Sequence, residues 1–189
     1  MNGNSFNVAH IEYDCSIYGP GMRTVIWFQG CSIRCEGCWN KEMWSNEPIM
    51  EIDREELLLL IEKTGNKGIT FLGGEPLDQC SNLLWFVRKL KEKSFNIMLY
   101  SGYEPEEIEM DDDKKSVCDL SDILVLGRYH QSERDINLLW RGSRNQKIIT
   151  KVPIEIEERN EVEIQIDEDG QVVCMGYPSP ELLKDLFNK

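Results

Sequence analysis

The chain of 189 residues is long enough for one sizeable hydrophobic core and short for two. Its 34 acidic residues outnumber 21 basic ones, and the net charge of -13 argues against a phosphate backbone as partner, so we expect no nucleic-acid binding. Because no run of about 20 apolar residues predicts a membrane span and the N-terminus lacks the pattern of a signal peptide, we expect no membrane association and a cytoplasmic location.

Short apolar runs rich in β-branched and aromatic residues predict five buried strands, at 24–28, 68–72, 96–100, 122–126 and 147–150. Helical patterns lie between them. One has Asp53 as N-cap, Glu56 in the capping-box position and Gly65 as its stop, and another covers residues 81–93. The alternation predicts an α/β fold with a mainly parallel sheet, and because five strands are too few for a closed barrel of eight, an incomplete (β/α) barrel.

The pattern changes beyond residue 150. Residues 161–173 alternate apolar and polar side chains around the turn sequence DEDG, which predicts a hairpin, and residues 179–187 predict a closing helix with Pro180 at its first position. An acidic stretch at 104–113 is typical of a solvated surface segment. We interpret 1–189 as a single domain, with a core at about 7–150 and an appended C-terminal extension at 151–189.

Three of the seven cysteines, Cys31, Cys35 and Cys38, follow the first predicted strand with the spacing C-x3-C-x2-C. Buried structural thiols are one interpretation, but the intervening Ser, Arg, Glu and Gly are typical of an exposed loop. Structural zinc is another, yet it requires four ligands, and His10 and His130 stand in no ligand pattern. Three thiolates would leave one iron of a 4Fe-4S cluster without a protein ligand, which is the open position that a catalytic metal site requires.

Further motifs accompany the cysteines in chain order: YGPGMR (18–23), FQGCSIRCEGCWN (28–40), FLGGEPL (71–77), SGY (101–103), LVLGRYH (124–130) and LWRGSRNQ (139–146). Together they resemble the radical S-adenosylmethionine (SAM) superfamily. Within it they are similar to the glycyl-radical-enzyme activases that act on anaerobic ribonucleotide reductase. Two features depart from that pattern, because Leu126 stands where an acidic residue is usual and the tail 151–189 extends beyond the shortest activases.

The resemblance implies one 4Fe-4S cluster in which Cys31, Cys35 and Cys38 bind three irons and the amino and carboxylate groups of SAM chelate the fourth. It also implies reductive cleavage of SAM to methionine and a 5'-deoxyadenosyl radical, which abstracts a hydrogen atom. In such an enzyme the cofactors carry out the electron transfer and bond cleavage, and the protein positions them and excludes water.

The residues that follow the predicted strands are expected to hold SAM. The GGEP turn would let backbone groups approach the methionine part and offer a carboxylate to its ammonium, while the serine of SGY would hydrogen-bond SAM. The family places backbone contacts to adenine at the end of the cysteine loop, where the tryptophan has packing as an alternative role. The expected cofactor-binding residues are Gly37, Cys38, Trp39, Gly73, Gly74, Glu75 and Ser101.

Three functions follow as hypotheses. The leading one is an activase that generates a glycyl radical on a partner enzyme, such as anaerobic ribonucleoside-triphosphate reductase, with electrons from a flavodoxin- or ferredoxin-like donor. The alternative, motivated by Leu126 and the tail, is a radical SAM enzyme that modifies a small molecule or peptide. A non-catalytic iron-sulfur protein is the third, and the GGEP motif argues against it. Arg23, Arg141 and Arg144 are expected either to contact SAM or a partner, or to pair with neighbouring carboxylates.

Overall fold

The computed structural model describes residues 3–154, 161–166 and 168–187. Its strands are β1 (Ser5–Cys15), β2 (Arg23–Phe28), β3 (Met50–Asp53), β4 (Gly68–Gly73), β5 (Asn96–Ser101), β6 (Ile123–Leu126), β7 (Lys147–Thr150), β8 (Val162–Ile166) and β9 (Val172–Gly176). Its α-helices are α1 (Arg54–Thr64), α2 (Cys80–Glu92), α3 (Pro105–Ile108), α4 (Asp112–Leu120) and α5 (Pro180–Phe187).

The first seven strands form one mixed sheet in the order β3-β1-β2-β4-β5-β6-β7. Its centre, β2-β4-β5-β6, is parallel, which confirms the α/β class and the parallel core of the predicted sheet. The prediction of β7 as a further parallel strand is wrong, because β7 runs antiparallel to β6 with Lys147 opposite Leu126. The chain returns between these strands through a loop at 127–146 rather than through a crossover helix, which parallel pairing normally requires.

Two antiparallel strands at the other side of the sheet, β1 and β3, were not predicted. The pairing of β1 with β2 is irregular between Val8 and His10 and again between Glu12 and Cys15. Each irregularity shifts the alternation of buried and exposed side chains, so a strict period of two is lost over the 11 residues. The sequence pattern therefore concealed this strand although its first residues are buried.

Both predicted helices that cover the sheet are confirmed. Asp53 caps α1, since its Oδ1 accepts hydrogen bonds from the backbone N–H of Glu55 at 2.8 Å and of Glu56 at 3.3 Å. Gly65 ends this helix in the left-handed region, with φ of 79°. The next helix, α2, spans Cys80–Glu92, one residue earlier than predicted, and its Lys89 and Lys91 lie in the last turn, where the helix dipole favours positive charge.

Alternate side chains of the parallel strands point to opposite faces of the sheet. One face carries a continuous apolar cluster that includes Phe28, Phe71 and Leu99 and packs against α1, α2 and α4, and we call it the helix-side cluster. The other face carries a smaller cluster, which we call the pocket-side cluster. Its members are Cys15, Ile17, Val25, Trp27, Leu72 and Met175.

The C-terminal extension packs on the face of the pocket-side cluster. β8 and β9 pair antiparallel, and α5 begins at Pro180, as the sequence predicts. Asp167, the first residue of the predicted turn, and residues 155–160 of the extension lie outside the described residues. Within the described ranges, no helix has both the length and the apolar character needed to cross a membrane.

Candidate functional site

A pocket opens at the carboxyl ends of the four parallel strands. Trp27 from β2, Leu72 from β4, Tyr100 from β5 and Gly127 just after β6 all contribute to its lining. Eight of the nine predicted site residues line it as well: Cys31, Cys35, Cys38, Trp39, Gly73, Gly74, Glu75 and Ser101. The ninth, Gly37, lies in the same loop but faces the Gln131 side chain, whose Oε1 would be 2.3 Å from a Cβ at that position.

The cysteine loop is held by hydrogen bonds from its base and from the turn after β4. The backbone N–H of Gly30 donates to the Met43 carbonyl at 2.9 Å. The carboxylate of Asp78 accepts from the backbone N–H of Ser32 at 2.6 Å and from the Ser32 hydroxyl at 2.8 Å, and the Tyr103 hydroxyl donates to it at 2.8 Å. Asp78 was missed in the sequence, where only its place three residues after Glu75 hinted at a role.

The three thiols fit a cluster better than a single ion. Cys31 is buried, and Cys35 and Cys38 are half-buried. Within the part of the chain that the structure describes, no three His, Cys, Asp or Glu side chains converge so as to hold one metal ion. A 4Fe-4S cluster does not require such convergence, because each thiolate binds its own iron. Three thiols around one pocket therefore match the donor set of a cluster with one open iron.

Burial raises the pKa of the Cys31 and Cys35 thiols above the usual value, so desolvation favours their neutral form. Hydrogen bonds from the backbone N–H groups of Ile33 and Arg34 oppose this effect at Cys31. Hydrogen bonds of this kind also tune the sulfur ligands of iron-sulfur clusters. Iron binding must displace the thiol protons, and cluster assembly is thus coupled to proton release.

The two glycines of the GGEP turn are required by packing against the end of β2 and the start of the cysteine loop. Gly73 has φ of 111°, and a Cβ there would lie 2.5 Å from the Phe28 backbone nitrogen. A Cβ on Gly74 would lie 2.2 Å from the carbonyl oxygen of Gly30. The backbone N–H groups of Gly74 and Glu75 donate to the carbonyls of Phe28 and Gly30, each at 2.8 Å. This backbone contact is a reason for glycine that the sequence reasoning did not supply.

Glu75 is buried and links the ends of β4 and β5. Its Oε1 accepts from the Leu77 N–H at 3.0 Å and from the Ser101 hydroxyl at 2.9 Å, while its Oε2 accepts from the Gly102 N–H at 2.8 Å. Burial raises the pKa of Glu75 to about 7, against the lowering effect of these donors. A carboxylate oxygen accepts about two hydrogen bonds, so Oε2 keeps room for one further donor.

Ser101 supports Glu75 within the protein. Its hydroxyl proton is committed to Glu75, and its oxygen accepts a hydrogen bond from the backbone N–H of Tyr103 at 3.1 Å. A direct contact with SAM stays a prediction for this residue. Trp39 is 47% exposed, and the guanidinium of Arg134 lies 5.1 Å from its ring centroid, within the range of a cation–π contact. The contact of Trp39 with adenine stays a prediction.

The departure at Leu126 lies away from the pocket, since this side chain is 3% exposed and belongs to the helix-side cluster. Arg23 is also buried, and it takes neither of its two predicted roles, because it lies away from the pocket and its described hydrogen bonds go to hydroxyl, carbonyl and amide oxygens. It donates to the Thr70 hydroxyl at 2.8 Å and to the Ile69 carbonyl at 2.9 Å. Arg144 pairs with Asp135 at 2.8 Å, which is the predicted pairing with a neighbouring carboxylate.

Comparison with known proteins identifies the family to which the chain belongs. Residues 17–149 match the family described as 4Fe-4S single cluster domain. The chain is 32% identical over 141 residues to the anaerobic ribonucleoside-triphosphate reductase-activating protein of Pasteurella multocida, covering 70% of this chain and 89% of that one. The protein of the same name from Enterobacteria phage T4 is 34% identical over 146 residues, or 72% and 89% of the two chains. The Escherichia coli K12 protein is 30% identical over 141 residues, or 70% and 90%.

Among solved structures, QueE from Escherichia coli is similar over 52% of each chain, with 19% identity and a TM-score of 0.41, which is too low to support a conclusion. The sequence matches and the three-thiol pocket define the class: the protein is a radical SAM enzyme with one 4Fe-4S cluster domain. It belongs to the family of anaerobic ribonucleoside-triphosphate reductase-activating proteins. The predicted superfamily, enzyme class and cofactors are thereby confirmed.

Proposed function

We propose that the protein cleaves SAM reductively and uses the resulting 5'-deoxyadenosyl radical to generate a glycyl radical on a partner enzyme of the anaerobic ribonucleoside-triphosphate reductase type. The observation that carries this proposal is the convergence of the cysteine loop and the GGEP turn on one pocket at the carboxyl ends of the parallel strands. The names of the relatives support the choice of partner. The bound cluster would supply the electron that divides SAM into methionine and the radical.

The chain's own residues would position and shield this chemistry. Cys31, Cys35 and Cys38 would bind three irons after losing their protons. Oε2 of Glu75 would accept a hydrogen bond from the ammonium group of SAM, and the positive charge of that ammonium would favour the ionised carboxylate. Gly73 and Gly74 would bring backbone groups close to the methionine part of SAM.

The partner would reach the pocket from outside the sheet. We propose that the sheet is an incomplete (β/α) barrel and that its lateral opening admits a glycine-bearing loop of the reductase. A flavodoxin- or ferredoxin-like protein would supply electrons. The departure at Leu126 gives the small-molecule alternative no support in the pocket, because Leu126 packs toward the helices.

The test uses cluster-reconstituted protein under anaerobic conditions, with SAM, dithionite and the reductase that occurs in the same genome. We expect a glycyl radical signal by electron paramagnetic resonance (EPR), together with 5'-deoxyadenosine and methionine. A reductase whose target glycine is replaced by alanine is the matched control and should show no signal. SAM cleavage without a radical on the intact reductase would contradict the choice of partner and would favour a small-molecule or peptide substrate.

A further inference from the structure

The C-terminal extension contributes to the pocket although it lies beyond the family match. That match ends at residue 149, whereas β8 and β9 lie at 162–176. Gly176, the last residue of β9, and Tyr177, which follows it, line the same pocket as Cys38. Part of the site wall is therefore built by a segment outside the matched residues.

Specific contacts fix this hairpin against the sheet. Glu163 on β8 accepts hydrogen bonds from the backbone N–H and the hydroxyl of Ser16, at 3.1 Å and 3.3 Å. The backbone N–H of Gly176 donates to the Tyr18 hydroxyl at 2.8 Å. Met175 is 6% exposed and packs in the pocket-side cluster with side chains of β2 and β4. The end of β9 is thus fixed by a hydrogen bond from Gly176 and by the apolar packing of Met175.

Backbone geometry directs the chain from β9 to Tyr177. Gly176 has φ of 97°, a region that favours glycine, and a Cβ there would lie 2.5 Å from the backbone oxygen of Glu161. The Tyr177 ring packs beside Gly142, where a Cβ would lie 3.4 Å from its Cε1. Burial raises the pKa of the Tyr177 hydroxyl well above its usual value.

The lining of the pocket is chemically divided. The turn after β4 provides the carboxylate of Glu75, which suits the ammonium group in the amino-acid half of SAM. Another part of the lining is aromatic, and it includes Tyr18, Trp27, Tyr129 and Tyr177. A flat purine gains from contact with aromatic faces, as nucleobases do in other proteins.

We propose that Tyr177 contacts the nucleoside half of SAM and that the C-terminal hairpin is in this way a SAM-binding element of the active site. The inference rests on the SAM binding of the proposed function. It concerns affinity for SAM and makes no assumption about which molecule receives the radical. Its failure and the failure of the proposed partner are consequently separate results.

The test compares Tyr177→Leu, which keeps apolar volume without an aromatic face, with Tyr177→Phe, which keeps the ring. Val173→Ala on the exposed side of β9 is the matched control, since Val173 is 47% exposed. Affinities for SAM and for L-methionine are measured from the change that each ligand causes in the EPR spectrum of the reduced cluster. Iron content and thermal unfolding verify that each variant is folded and loaded.

We expect Tyr177→Leu to weaken SAM binding about tenfold and to leave methionine binding unchanged. Val173→Ala should bind both as the wild type does, and Tyr177→Phe, which keeps the ring, should bind SAM more tightly than Tyr177→Leu does. Gly176→Ala, which displaces Tyr177 without altering it, should weaken SAM binding in the same direction and gives a second test if the leucine variant folds poorly. SAM affinity within twofold of wild type in both variants, or equal losses for SAM and methionine, would overturn the inference. A wild-type protein that binds no SAM would overturn the proposed function as well.

Discussion

Two adjacent residues of β4 show how the faces of the sheet differ. Phe71 is fully buried in the helix-side cluster, with its ring centroid 6.0 Å from that of Phe28 and 6.1 Å from that of Phe86. Leu72 points to the other face and lines the pocket. On that second face, the Tyr100 hydroxyl and the Trp140 indole nitrogen are buried and have no hydrogen-bond partner among the residues that the structure describes. The first face is packed for stability, while the second borders the open space of the pocket.

The sharpest test of this division is Cys35→Ala on the pocket face. Removing one of three protein ligands should abolish cluster binding and SAM cleavage, because among the described residues no fourth cysteine lines the pocket. Iron content, the brown absorption of the cluster and 5'-deoxyadenosine production report the loss. Cys174→Ala on the hairpin is the control and should keep all three. A variant at Cys35 that retained the full chromophore and turnover would refute its assignment as a ligand.

Phe71→Ala on the helix-side face should lower the stability of the fold and leave SAM affinity unchanged. Loss of a fully buried ring costs about 3–5 kcal/mol of unfolding free energy, whereas Leu72→Ala should cost about 2 kcal/mol because its side already borders a cavity. Denaturant unfolding of the two variants measures the difference. At temperatures where both are folded, SAM affinity should fall only for Leu72→Ala. Equal stability losses would mean that the two faces are packed alike.

The pH dependence of stability tests Glu75, which joins the pocket face to the strand ends. Its folded-state pKa is raised from 4.5 to about 7, so its stabilising contribution is fully present below pH 4.5 and is lost as the pH rises through 7. Unfolding free energy should therefore decline by about 3 kcal/mol across this window through this group. Denaturant unfolding of the wild type and of Glu75→Gln, followed from pH 5 to pH 8, should show the decline in the wild type alone. Parallel pH profiles would contradict the role of Glu75.

Asp78→Ala should have the smallest effect. Its carboxylate binds the Ser32 backbone and hydroxyl at the exposed side of the cysteine loop, so the loss should be about 1 kcal/mol. We expect faster loss of iron to a chelator, with initial cluster content unchanged. Asp119→Ala, an exposed aspartate at the end of α4, is the matched control. Identical chelation rates in the two variants would show that Asp78 does not hold the loop.

Much of this arrangement was predictable from sequence. Apolar runs identified β2, β4, β5 and β6, and the residues after them were expected to form the site because parallel strands bring their carboxyl ends to one edge. The C-x3-C-x2-C spacing predicted three thiols with one open position. Asp53 and Gly65 marked the ends of α1 through local capping, which depends on few neighbouring residues.

Long-range features could not be predicted in the same way. The direction of β7 depends on how the loop at 127–146 crosses the sheet, and the irregular pairing of β1 depends on β2. Nothing in the sequence indicated that Leu126 would face the helices. In a strand that is buried on both faces, the face to which a side chain points depends on the packing of neighbouring elements. The departure of Leu126 from the family pattern could be interpreted only after the structure showed that this side chain faces the helices and not the pocket.

By itself, the sequence determined the chemistry of the site: three thiols in one loop, a glycine turn with a carboxylate, and the strand ends that carry them. The tertiary structure decided the rest, because contacts between distant segments have no local signature. It tied Glu75 to Ser101 and Gly102 and placed Asp78 at the exposed side of the cysteine loop. It also brought Tyr177 to the pocket wall, 139 residues along the chain from Cys38. Such contacts depend on the packing of the whole fold rather than on neighbouring residues in the chain.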